Sequence, residues 1–107
     1  DPKAPGMLKS HYAPRKPLRV VANDFDFSKL AVNSAIIVFG EFLNNTNAQV
    51  YNLSPTGNYN EAATNLFSFL RMLDKSEIVK EIFAILLPSI NLGVAINDRL
   101  NRASHKE

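Results

Sequence analysis

The chain of 107 residues has no cysteine and no tryptophan, and it has only two histidines and four glycines. Without cysteine there is no disulfide framework, no thiolate metal site and no cysteine nucleophile, a composition that suits a cytoplasmic chain. Long apolar runs are missing too: the longest, Ile82 to Leu87, is six residues, far short of the roughly 20 needed to cross a bilayer. The opening Asp1-Pro2-Lys3-Ala4-Pro5-Gly6 holds no signal-peptide apolar region. The expectation is a soluble cytoplasmic domain that engages no membrane. The glycines, at 6, 40, 57 and 93, build neither a Gly-x-x-x-x-Gly-Lys-Ser/Thr phosphate loop nor a Gly-x-Gly-x-x-Gly fingerprint. His11 and His105 each lack a second histidine at ligand spacing, so no metal site is expected. Ser54 and Ser89 lie beside prolines but lack the glycines of a nucleophile elbow, which leaves hydrolase chemistry unsupported. Asp24 and Asp26 on a loop suit a divalent cation, but capping or a surface role is the commoner use of such a pair.

What is present describes one domain. Hydrophobic residues make up 46% and charged residues 21%, and a chain of this length buries roughly two-thirds of its unfolded surface. The net charge of +2 is unevenly spread. Residues 1–19 carry Lys3, Lys9, Arg15, Lys16 and Arg19 against Asp1, a balance of +4. Residues 20–98 carry four basic and eight acidic side chains, and 99–107 return to +2 through Arg99, Arg102 and Lys106 against Glu107. A duplex-binding domain concentrates its cations on one folded face. Here they lie at the ends, so DNA is not expected as a partner and the basic start reads first as a solvated linker.

Residues 1–17 read as an extended, proline-stiffened linker, because Pro2, Pro5, Pro14 and Pro17 fix φ and push their predecessors to extended shapes. Residues 18–107 read as the folded domain. Leu18 to Ala22 is a β-branched run, a first strand. Phe25, Phe27, Leu30 and Ala31 suggest a short helix capped by Asp26 or Ser28. Ala35 to Phe39 is apolar on both faces, as in a strand covered by helices on each side. Gln49 to Leu53 alternates as a strand. Asn58 with Glu61 resembles a capping box opening a helix, with Ala62, Leu66, Phe69, Leu70 and Leu73 as its apolar stripe. Ile82 to Leu87 is a further buried strand, and Leu92, Ala95, Ile96, Leu100 and Ala103 form a last helical stripe, with Asp98 and Arg102 able to pair on its outer face. Strands alternating with helices predict an α/β, three-layer Rossmann-like domain with a mostly parallel sheet of about four strands. The direction of the strand near Val50 stays open, since so short a connection cannot hold a full crossover helix.

The one cluster with chemical interest lies in the linker. Pro5-Gly6-Met7-Leu8-Lys9-Ser10-His11-Tyr12-Ala13-Pro14 sets an imidazole that titrates near neutrality beside a phenol that can pack and donate. On a linker such residues have no core of their own to fill. They serve either a surface outside this domain or a plain tether.

These residues resemble a known family. Pro5 to Pro14 follows the pattern Pro-Gly-Met-x-x-x-His-Tyr-Ala-Pro, similar to the interdomain linker of the two-domain form of threonylcarbamoyl-AMP synthase. Leu66-Phe67, Leu70-Arg71 and Leu73-Asp74 resemble that family's Leu-aromatic-x-x-Leu-Arg-x-Leu-Asp helix. Leu92 to Leu100, followed by Arg102-Ala103, resembles its closing Gly-Leu-Gly-x-Ala-Ile-x-x-Arg-Leu segment. Lys9 stands where some members carry an aromatic residue. Asn91 replaces the first glycine of the closing motif and is expected to cap the final helix.

The resemblance implies that the chain is a non-catalytic accessory domain beginning in the linker. The implied parent is a nucleotidyltransferase of translation-factor-like ancestry, whose N-terminal catalytic domain lies in cis. That domain joins threonine, bicarbonate and ATP, with magnesium, into threonylcarbamoyl-AMP for threonylcarbamoyladenosine in tRNA. No cofactor is implied for residues 1–107 themselves. Pro5, Gly6, Met7, Lys9, His11, Tyr12, Ala13 and Pro14 are the implied lid contacts, against that domain and the intermediate at the domain junction. Two other roles stay open: a nucleotide-binding regulatory module, with its site at the strand ends near Gly40, Ser54 and Pro88, and docking of tRNA or tRNA-modification proteins through the basic arm together with Arg99, Arg102 and Lys106.

Overall fold

A computed structural model describes residues 15–105. Four strands, β1 (Leu18–Val21), β2 (Ser34–Val38), β3 (Gln49–Asn52) and β4 (Glu81–Ile85), and two helices, α1 (Tyr59–Lys75) and α2 (Leu92–Ser104), follow in the chain order β1-β2-β3-α1-β4-α2. Every strand pairing is parallel and the order is β1-β4-β2-β3. The open question over β3 is thus answered: it runs parallel to β2, with Ile36 opposite Val50 and Val38 opposite Asn52. The connection, residues 39–48, crosses the sheet as coil and holds no helix. Burial follows position. Central β2 is buried at all five residues, whereas the outer strands β1 and β3 keep partly exposed side chains.

Because side chains alternate along a strand, β2 serves two cores. Ala35 and Ile37, with Ile82 and Ala84 of β4, face the helices and meet Ala62, Leu66, Leu70, Leu73, Ile96, Leu100 and Ala103. Burying the three α1 leucines contributes roughly 5–9 kcal/mol before conformational entropy is charged against it. Ile36 and Val38 face the other way, onto Phe27 and Ala48. There the structure departs from the expected helical cover. The predicted short helix is one 3-10 turn, Phe27–Lys29, capped as expected by Asp26, whose carboxylate accepts from the Ser28 N–H at 3.1 Å. Rings do the filling instead: Phe25 and Phe27 stand 5.0 Å apart, Phe27 and Phe42 5.5 Å, and Phe25 and Phe83 5.4 Å. Thr46 ties the two loops by donating to the Phe27 carbonyl at 2.7 Å and accepting from the Ala48 N–H at 3.1 Å. Bulky rings close this layer with fewer residues than a helix would need.

Both helix starts carry findings of their own. Asn58 accepts from the Glu61 N–H at 2.8 Å, the first half of a capping box. The return half runs through a third residue: the Asn58 N–H donates to Ser54 Oγ at 2.8 Å, and Ser54 Oγ donates to Glu61 Oε1 at 2.6 Å. Asn91 does not cap α2 with its side chain, contrary to expectation. It holds φ 51° and ψ −138° and makes no side-chain cap bond. The Gly93 N–H bonds the Ile90 carbonyl at 2.8 Å across it. That geometry is a type II′ turn with Asn91 at the position that favours glycine, which gives the family's glycine there a physical reason. Gly93 is required for space, since a Cβ there would lie 2.2 Å from the Pro88 carbonyl oxygen.

Candidate functional site

The expected lid contacts Pro5, Gly6, Met7, Lys9, His11, Tyr12, Ala13 and Pro14 lie outside the described residues. What the structure places is the root of that arm, Arg15-Lys16-Pro17, and the surface that receives it. The Pro17 carbonyl accepts from the Ile82 N–H at 2.9 Å, so the arm enters as the first rung of the β1–β4 ladder. The Arg15 N–H donates to Asp74 Oδ1 at 2.8 Å, and its guanidinium Nε stands 3.5 Å from Asp74 Oδ2. The Lys16 ammonium donates to the main-chain carbonyls of Leu73 and Ser76.

The receiving surface is the C-terminal end of α1, and its sequence explains why. The last carbonyls of a helix have no partners within it and carry the negative end of the macrodipole. A lysine ammonium satisfies both needs. Ser76 turns the chain there, with its hydroxyl accepting from the Ile78 and Val79 N–H groups at 3.1 and 3.0 Å. Desolvation against this end pulls the Lys16 pKa below its ordinary value, while the Asp74 charge works the other way. Asp74 is out of place by helix rules, since the dipole disfavours an anion in a last turn. Its hold on Arg15 accounts for it. With 81% of the Arg15 side chain exposed, the ion pair itself adds little. The bond from the Arg15 main-chain N–H is the shorter and more directed of the two contacts.

The opposite end of the sheet holds a crevice of about 420 Å³, lined by Val38, Phe39, Ile85, Leu86 and Pro88 with Asn23 and Glu41 among the polar groups. It lies at the strand C-termini, where the expected nucleotide site was placed. Its lining has a carboxylate and no cation. Of the N–H groups at the helix starts, that of Glu61 bonds Asn58, that of Gly93 bonds Ile90 and that of Val94 bonds Asn91. The arrangement gives a phosphate little to bind.

Other candidates resolve into structural parts. Asp26 spends its Oδ1 on the Ser28 N–H and hydroxyl, and no group of three His, Cys, Asp or Glu side chains is placed to hold a metal among the described residues. Ser54 is fully buried in the α1 cap, and Ser89 lies 3.4 Å from the Asn97 amide. His105 Nδ1 stands 2.9 Å from the Asn101 carbonyl. Between the helices, the Arg99 guanidinium lies 4.2 Å over the Phe67 ring, and Arg102 pairs with Asp98 at 3.1 Å as its spacing predicts. No helix among the described residues is long and apolar enough to cross a membrane.

Three residues of consequence escaped the sequence reading. Asn97 is buried in the α2 stripe and bonds both the N–H and the carbonyl of Leu87, at 2.8 and 2.7 Å, acting as a short extra strand edge for the end of β4. Its signal was a polar residue on an otherwise apolar face. Asp74 had a signal as well, an acid in the last turn of a helix. Lys16 had none, because its partners lie 57 and 60 residues along the chain.

A family model described as the C-terminal domain of threonylcarbamoyl-AMP synthase matches residues 1–105. No curated protein and no solved structure matches the chain.

Proposed function

The chain belongs to the family of threonylcarbamoyl-AMP synthase C-terminal domains, which serves threonylcarbamoyladenosine modification of tRNA, and from that we propose that it positions a linker lid over the active site of a catalytic domain N-terminal to it in the same chain. On this reading the partner domain makes threonylcarbamoyl-AMP from threonine, bicarbonate and ATP with magnesium, releasing pyrophosphate, and the present domain forms and breaks no bonds. The observation that carries the reading is the rooting of the arm. Arg15, Lys16 and Pro17 are each bonded to the folded block, so the block and the direction of the arm move together.

The physical benefit is specific to the product. Threonylcarbamoyl-AMP is a mixed anhydride, labile to water, and a closed lid excludes water from the site. A stiff arm already fixed at one end loses less entropy on closing than a free one. His11 and Tyr12 supply the lid contacts, and Lys9 meets phosphate.

The test is the double variant His11→Ala/Tyr12→Ala in the chain that carries its catalytic domain. The expected outcome is slower turnover with a larger share of the intermediate hydrolysed in solution. Parent-like turnover and parent-like loss of intermediate would refute the lid.

A further inference from the structure

We propose that Asp74 and Lys16 are positioning residues for the linker: together they clamp its root against the end of α1 and set the direction in which residues 1–14 leave the domain. The inference rests on the lid reading above and deepens it, because it names the part of the domain that does the steering.

A chain segment held at one point can swivel, whereas one held at three successive residues has its direction fixed. Arg15 is held through its main-chain N–H by Asp74, Lys16 through its ammonium by the Leu73 and Ser76 carbonyls, and Pro17 through its carbonyl by Ile82. The first two grips come from one helix end and the third from the central sheet. Pro17 adds its own restriction, since a residue before proline is confined to extended shapes, and Lys16 is that residue. The clamp therefore sits at Arg15-Lys16-Pro17, directly after residues 1–14.

The chemistry of the grips also marks them as more than stabilising. An aspartate in the last turn costs the isolated helix something, and a lysine ammonium loses hydration against the carbonyls it binds. Asp74 does not suit α1 considered alone. Both residues suit a helix end whose task is to hold another segment.

Three variants in the chain with its catalytic domain carry the test: Asp74→Ala, Lys16→Met and the double. Asp98→Asn is the control, since it removes another exposed ion-pair acid, 3.1 Å from Arg102 on α2. The expected result for the double variant is a kcat lower by about three- to tenfold, with the KM for ATP within about twofold of the parent. The share of intermediate lost to water rises with it. Asp74→Asn should recover part of the loss, because its amide oxygen still accepts the Arg15 N–H. A merely structural role would lower the amount of folded enzyme and leave kcat per folded molecule and the leakage unchanged. That outcome would overturn the clamp. If Asp74→Ala fails to fold, Lys16→Met carries the same comparison, and parent-like leakage in it overturns the clamp equally. If the clamp variants are silent while His11→Ala/Tyr12→Ala leaks, the clamp falls and the lid stands. If both sets are silent, the lid falls as well.

Discussion

Asn91 shows how much one residue reveals when its backbone is known. It stands at φ 51° in a type II′ turn where the family carries glycine, and an L side chain there costs roughly 1–3 kcal/mol. Its amide makes no cap bond to offset that cost. Asn91→Gly is therefore expected to stabilise the domain by about 1 kcal/mol, less the backbone freedom glycine gains when unfolded. A urea midpoint that rises bears this out, and one that falls by a similar amount contradicts it. The neighbouring Gly93 obeys the opposite logic, because the Pro88 carbonyl fills the space a methyl would need. Two positions of one motif are thus explained, one by torsion and the other by volume.

At the level of elements, the sequence was most legible where periodicity is local. The α1 stripe Ala62, Leu66, Leu70 and Leu73 is buried as its spacing predicts, and both continuous apolar runs became the two central strands. The expected strand Ile82 to Leu87 became Glu81–Ile85, because Leu87 leaves the ladder to bond Asn97. The layer over the other face was illegible. Its packing joins Phe25, Phe27, Phe42 and Phe83 from three separate segments, and no short window of sequence contains that arrangement. The capping box was half legible for the same reason, since Ser54 completes it from outside the helix.

The turn that replaced the expected helix carries a pH prediction. Bonds from the Ser28 hydroxyl and then its N–H hold the Asp26 carboxyl below its ordinary 3.8. A depressed carboxyl pKa means stability that is present above the unfolded value and is lost as pH falls through the folded one. Compared with Asp26→Asn, the parent should hold a stability advantage at pH 6 that shrinks progressively as the pH falls below the ordinary 3.8. Unfolding midpoints of both proteins across that range check it, and an advantage constant with pH would contradict it.

For the whole molecule, the decisive feature is polarity along the sheet. All strands run parallel, so the arm's root and the 420 Å³ crevice lie at opposite ends, about 15 Å apart by strand rise. At the N-terminal end, Asp74 holds Arg15, and Lys16 holds the Leu73 and Ser76 carbonyls. The candidate site was legible in part: the linker pattern and the Leu73-Asp74 helix motif stood in the sequence. Their meeting did not, since 59 residues separate Arg15 from Asp74.

One measurement bears on the steering role most directly. Inserting Gly-Ser-Gly-Ser between Pro14 and Arg15, in the chain with its catalytic domain, keeps every native residue and uncouples the arm from its root. The account predicts slower turnover and greater escape of threonylcarbamoyl-AMP to hydrolysis, with the melting temperature of the C-terminal domain unchanged. Turnover and escape equal to those of the parent would contradict it.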